Sequence, residues 1–174
     1  APRTYRRILA PCPGLRYLRP DSSENGDAMV EFAYGNANFA DIRRMGAFYV
    51  DKTPFLPQFE SNLYGAKYLF FLRPRRFGKS SLLSMMAHYY DISLADQFDE
   101  LFRGLWVHEH PTPEKSKYMV LHLNFSQVTT QGTEEEVRAN FTAVVKSAIG
   151  TLSIAHGQRL PRLANVYNDI ADEN

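Results

Sequence analysis

The sequence predicts an α/β fold with a mostly parallel sheet, on three observations. Two runs of strand length, YLFFL from Tyr68 to Leu72 and YMVLHLNFS from Tyr118 to Ser126, are largely apolar, as strands covered on both faces require. Stretches with apolar residues at helical spacing alternate with them, the pattern of strands joined by helical crossovers. The first run also passes through a short basic turn, RPRRFGKS, directly into one of those helices.

The totals set the frame. With 174 residues, 44% hydrophobic and 13% aromatic, the chain has enough apolar mass for a real core, and a single domain is the natural expectation. A net charge of +1 gives no overall attraction to nucleic acid or membrane, so any such partner must bind through a local patch. A single cysteine, Cys12, excludes an intramolecular disulfide framework and a cysteine-based zinc site, in keeping with a reducing compartment. No run reaches the roughly 18 to 20 apolar residues of a membrane span, and the opening residues lack the apolar core of a secretory signal. An intracellular protein, cytoplasmic or nuclear and not in the membrane, is expected.

Residues 1–27 read as a basic arm and linker. Arg3, Arg6, Arg7, Arg16 and Arg19 are interrupted by prolines, and no acidic residue falls among the first twenty. Such an arm either contacts nucleic acid, a neighbouring domain or an import receptor, or is a solvated linker, the reading that charge runs more often carry. The turn formers of PDSSENGD separate it from a folded part covering 28–174.

That part opens with an apolar stretch at Met29 to Tyr34 and a short helix in NFADIRRMG that ends at Gly46. Phe48 to Val50 suits an extended piece. Thr53 followed by Pro54 has the form of an N-cap with proline at the first helical position, which turns Phe55, Leu56 and Phe59 inward. After the strand at Tyr68 to Leu72, a helix from Lys79 places Leu82, Met85, Met86, Tyr89 and Tyr90 at helical spacing. Ser93, with Asp96 three residues on, reads as the next cap, and Phe98, Leu101 and Phe102 as an inner face. Trp106, Leu105 and Val107 read as core. Beyond the second strand, Thr133 and Glu136 form a capping box for a long helix with Val137, Phe141, Val144, Val145, Ala148 and Leu152 on one side. A last helix covers Leu163 to Ala171.

The turn between the first strand and its helix carries the chemistry. A phosphate-binding loop needs backbone N–H groups wrapped round a phosphate, hence a glycine where a side chain would collide, and Gly78 stands there. It needs a lysine at the helix start to neutralise charge between the β- and γ-phosphates, and then a hydroxyl for magnesium. Lys79 and Ser80 fit these tasks. Gly-Lys-Ser alone is a weak signal, but a buried strand before it and an amphipathic helix after it make coincidence much less likely. The competing reading, a basic turn whose Lys79 merely decorates a helix start, puts a cation where the helix dipole disfavours it.

Arg73 occupies the place usually held by the loop's first glycine, and Pro74 can impose the turn by fixing φ. Arg75 and Arg76 either reach the nucleotide or pair with carboxylates elsewhere, and nucleic acid is a third partner for them. The candidate nucleotide contacts are therefore Arg75, Arg76, Phe77, Gly78, Lys79, Ser80 and Ser81, with Lys79 also catalytic and Ser80 the metal contact. ATP and magnesium are the expected cofactors.

The stretches FADIRRMGAFYVDKTPFL, YLFFLRPRRFGKSSLLSMMAHYYD, LFRGLWV and YMVLHLNFS resemble the successive blocks of the AAA-ATPase-like domain family. The resemblance is clear from Phe39 to Ser126 and covers the arginine-rich loop, so Arg73 is a family spelling of the motif. It implies a P-loop NTPase-type three-layer fold and ATP binding with ATP hydrolysis. It places Asp51, Lys52 and Thr53 near the nucleotide, whereas spacing alone gives a cap at Thr53 and leaves Asp51 between a site role and a structural ion pair. A PD-(D/E)xK nuclease-like domain often follows in the family, which implies ATP-regulated work on nucleic acid or within a larger assembly.

One position departs from the family. Where a strand often ends in aspartate, this chain has Asn124, which puts a metal role there in doubt. Hydrolysis also needs an acidic residue at the end of an apolar strand and a group to orient water, and no apolar run after the loop ends in Asp or Glu. In the family the acidic strand comes soon after a helix like Leu163 to Ala171, so the resemblance implies a fold that is incomplete in this chain, stopping just short of that strand. The five histidines show no helix-spaced metal pair, and His108 to His110 read as a polar edge or loop. Two other classes remain open: a nonhydrolysing, nucleotide-dependent interaction domain, and a basic nucleic-acid-binding module whose affinity would fall steeply with salt. The oligomeric state is left open.

Overall fold

The computed structural model describes residues 17–18, 32–63, 70–72, 74, 77–162 and 165–166. They fall into two compact units, Ala1–Ser84 with Asp99–Pro113, and Met85–Phe98 with Glu114–Asn174.

In the first unit, β1 (Tyr17–Leu18) pairs antiparallel with β2 (Tyr49–Val50), Tyr17 opposite Val50 and Leu18 opposite Tyr49. The stretch expected to be arm and linker thus contributes a strand. Helix α1 (Phe39–Arg44) starts where the Asn38 side chain accepts the N–H groups of Ala40 and Asp41. It stops at Gly46, whose φ of +62° lets Gly46 and Ala47 donate back to the carbonyls of Arg43 and Ile42. Its buried face carries Phe39, whose ring lies 5.4 Å from that of Tyr49 and 4.9 Å from that of Phe102. On the other side the Arg43 guanidinium donates to the carbonyls of Leu101 and Arg103, both at 2.7 Å, tying α1 to the end of α4 (Phe98–Phe102).

A 3₁₀ turn (Thr53–Phe55) leads into α2 (Leu56–Leu63). Thr53 is not the cap its sequence context predicts. Its backbone N–H and its hydroxyl both donate to Asp51 Oδ1, at 2.8 and 2.7 Å, and the hydroxyl oxygen accepts the Val107 N–H at 3.2 Å. Asp51 Oδ2 accepts the Trp106 N–H at 2.8 Å, so this knot fixes the start of α5 (Trp106–Glu109). Leu56, Phe102, Leu105 and Val107 are fully buried around it, each such side chain stabilising by about 1.5–3 kcal/mol relative to exposure.

Helix α3 (Lys79–Tyr90) begins at the expected residue, giving its first half to the first unit and its second half to the other. In the second unit Met85, Tyr89 and Phe98 are buried, with the Tyr89 and Phe98 rings 6.1 Å apart. The cap of the next turn, Ile92–Gln97, is Asp91 and not Ser93: Asp91 Oδ1 accepts the N–H and the hydroxyl of Ser93 at 2.8 and 2.7 Å. The same oxygen lies 3.1 Å from Nε2 of the buried His156. Helix α6 (Glu134–His156) opens on the predicted capping box, with Thr133 Oγ1 accepting the Glu136 N–H and Glu136 Oε2 accepting the Thr133 N–H. Val137, Val144, Val145, Ala148 and Leu152 are half-buried along it, while Phe141 is exposed and stacks on Phe125.

The expected strands take a different form among the described residues. Phe70 to Leu72 make no ladder, and Phe70 and Leu72 are 83% and 86% exposed. The stretch from Tyr118 contributes a single parallel bridge, Tyr118 with Asp91, before a 3₁₀ turn at Phe125–Gln127. Apolar composition makes a strand only where another strand accepts its hydrogen bonds. The helix expected at Leu163 to Ala171 lies mostly outside the described residues.

Candidate nucleotide-binding site

The first unit contains a cavity of about 820 Å³, within the size range of small-molecule sites. Two kinds of wall line it. One is the start of α3 with the loop before it, Phe77, Gly78, Lys79, Ser80 and Ser81, joined by Lys52. The other is aromatic: Phe32, Tyr34 and Phe48, with the Phe32 and Phe48 rings 5.4 Å apart.

Gly78 has φ of +68°, a left-handed conformation that a side chain would strain. A Cβ there would also come within 2.5 Å of the Lys52 ammonium. The Gly78 carbonyl accepts the Leu82 N–H at 3.0 Å and so starts the helix. By helix geometry the N–H groups of this first turn have no partner within the helix, and they carry the positive end of its dipole. Ser80 is exposed and lines the cavity. Ser81 Oγ donates to the Gly78 carbonyl at 3.1 Å, and Lys79 Nζ donates to the Pro74 carbonyl at 2.7 Å, turning back over the loop.

Gly78, Lys79, Ser80, Ser81 and Phe77 are thus brought together, as their adjacency in sequence requires. Arg73, Arg75 and Arg76 lie outside the described residues. Asp51 stands apart: it is 2% exposed, does not line the cavity, and spends both carboxylate oxygens on Thr53 and Trp106. Its neighbour Lys52 occupies the cavity wall instead. Lys52 Nζ donates to Ser81 Oγ at 2.9 Å and to the Gly78 carbonyl at 3.3 Å, and burial lowers its pKa. Spacing in the sequence gives no sign of this contact; only the resemblance of the Tyr-Val-Asp-Lys-Thr block pointed toward it.

The sequence profile of a family described as predicted AAA-ATPase matches residues 33–171. The chain belongs to this AAA-ATPase-like family. Comparison with curated proteins and with solved structures found no match. The family's matched span contains every residue of the cavity wall from Ala33 through Ser81. Among the described residues, no helix is long and apolar enough to cross a membrane.

Two features of this AAA-ATPase-like cavity fit a polyphosphate. One is the glycine cradle that a Cβ would fill; the other is a lysine drawn inward against neutral partners. The fit to magnesium is narrower: Ser80 offers a hydroxyl, and no carboxylate lines the cavity among the described residues.

Proposed function

We propose that this chain binds ATP in the cavity at the start of α3, as a P-loop domain of the α/β, parallel-sheet type. The observation that carries the reading is the convergence of Gly78, Lys79 and Ser80 with a second cation, Lys52, on one wall of a cavity of about 820 Å³. The N–H groups around Gly78 bind phosphate oxygens. Lys79 swings from the Pro74 carbonyl to neutralise charge on the β- and γ-phosphates, and the Ser80 hydroxyl holds magnesium. Bound magnesium would supply further neutralisation of the phosphate charge. The exposed rings of Phe32 and Tyr34, with the half-buried Phe48, offer the base a stacking surface.

Hydrolysis is proposed with an acidic group brought from outside this cavity lining, since charge neutralisation alone does not orient an attacking water. That no carboxylate lines the cavity among the described residues favours a second reading, a nucleotide-dependent interaction domain that does not turn over. Regulation of nucleic-acid processing, or of a larger assembly containing a nuclease-like domain, rests on the family resemblance alone.

Calorimetric titration of MgATP against the wild type, Lys79→Ala and Arg76→Ala tests the proposal. Saturable binding by the wild type and its loss in Lys79→Ala are expected. Equal, weak binding by all three would end the reading.

A further inference from the structure

We infer that Lys52 is a second phosphate-binding cation of this site, held inward for the ligand by the buried residues on either side of it. The inference rests on the nucleotide reading above and assigns a contact that the loop motif does not contain.

Lys52 sits where an ammonium is poorly placed without an anion. Its Nζ is bonded to two neutral oxygens, Ser81 Oγ and the Gly78 carbonyl, at the N-terminal end of a 12-residue helix. The first-turn amides there carry partial positive charge, which repels a cation. Burial penalises the charged amine further, and desolvation is the whole cause of its lowered pKa. No carboxylate among the described residues pairs with it. The nearest in sequence, Asp51, has both oxygens committed to Thr53 and Trp106.

A lysine stem is long and flexible, and an ammonium in such a place would ordinarily turn out into water. Lys52 does not, because the chain on both sides of it is fixed. Asp51 is 2% exposed and Thr53 fully buried, and both are bonded to the backbone at the start of α5. The backbone of residue 52 therefore has little freedom, and its side chain leaves it along the wall that also carries Gly78, Ser80 and Ser81. A phosphate oxygen replaces the neutral partners with a charge-assisted bond and removes the electrostatic penalty in one step. Phosphate is the ligand class, since a divalent cation would add to the positive charge already present.

The test uses the full chain with Lys52→Met, which keeps the stem and removes the charge, and Lys52→Arg, which keeps the charge. MgATP, inorganic tripolyphosphate and adenosine are titrated against each, and Tm is measured without ligand. Lys52→Met should bind MgATP and tripolyphosphate at least about tenfold more weakly, as loss of one charge-assisted hydrogen bond requires. Adenosine binding should be unchanged, and Lys52→Arg should recover most of the loss. The ligand-free Tm of Lys52→Met should stay level or rise by about 2–4 °C, because an uncompensated charge has gone.

If Lys52→Met binds MgATP as the wild type does while Lys79→Ala has lost it, Lys52 is no phosphate contact and the nucleotide reading stands without it. A lowered ligand-free Tm with unchanged affinity would overturn the inference in the same way, by making Lys52 a structural prop of the helix start. Failure of the wild type itself to bind MgATP or tripolyphosphate would remove both.

Discussion

Replacement of Asp51 by alanine should unfold the first unit more readily than any single change on its surface. The carboxylate accepts three hydrogen bonds, from the Thr53 N–H at 2.8 Å, the Thr53 hydroxyl at 2.7 Å and the Trp106 N–H at 2.8 Å. Alanine leaves the two backbone donors without partners, and an unsatisfied buried donor costs about 1–3 kcal/mol. The Thr53 hydroxyl loses its acceptor as well, although its oxygen still receives the Val107 N–H. Allowing for partial relaxation and water entry at Trp106, which is only half-buried, the sum is about 3–5 kcal/mol. That is a large share of the 5–15 kcal/mol that holds a typical domain together. Equilibrium urea unfolding followed by far-UV circular dichroism reads it directly, as a lower midpoint at unchanged slope. The Tm should fall by about 6–20 °C at roughly 2–4 °C per kcal/mol. Thr53→Val removes one arm of the same knot and should cost about 1–2 kcal/mol, and the double variant should cost less than the two single changes together. A loss below about 1 kcal/mol in Asp51→Ala, or strict additivity with Thr53→Val, would refute the knot.

Gly78→Ala should weaken MgATP binding, because the new methyl group displaces the Lys52 ammonium, and should cost about 1–2 kcal/mol of stability from the left-handed backbone. Wild-type affinity and stability in this variant would contradict the loop geometry. Thr133→Ala should lose about 0.5–2 kcal/mol and fray the first turn of α6 in hydrogen exchange, while Thr133→Ser should be nearly neutral. At Asp91, burial pushes the carboxyl up, but the hydrogen bonds from Ser93 and the interaction with His156 outweigh it and hold the pKa below its ordinary value of 3.8. A depressed folded-state value gives stability that is full above the unfolded pKa and lost as pH falls through the folded one. The urea midpoint should therefore drop below about pH 4, and this acid sensitivity should be smaller in Asp91→Asn. An identical profile in the two proteins would count against it.

The features legible in the sequence are those whose partners lie within one turn of the chain. The capping box of Thr133 and Glu136 spans three residues, and its hydrogen bonds are the ones foreseen. Of the face Leu82, Met85, Met86, Tyr89 and Tyr90 that helical period gives, Leu82, Met85 and Tyr89 are buried and Met86 and Tyr90 half-buried, while Phe98, Leu101 and Phe102 are all buried. The Gly78, Lys79 and Ser80 wall is contiguous, so recognising the loop also placed its residues. The cap expected at Thr53 is absent for the opposite reason: its hydroxyl serves a backbone amide 54 residues away, which competes with the local cap that proline at the next position invites. Ser93 failed more locally, because Asp91, two residues earlier, is the stronger acceptor. Lys52 reaches the loop across 26 residues, a pairing no periodicity encodes. The described part of the first apolar run, Phe70 to Leu72, and the run at Tyr118 to Ser126 show the same dependence on distant partners, since a strand takes its form from the neighbour it bonds to.

The central claim is that a triphosphate belongs in the cavity between Lys52 and the start of α3. A crystal structure of the chain with magnesium and a nonhydrolysable ATP analogue tests it most directly. The account predicts phosphate oxygens within hydrogen-bond distance of the Gly78 to Ser80 amides, with both Lys79 and Lys52 turned onto them. An analogue bound elsewhere, or a cavity closed by the protein's own acidic side chains, would contradict it.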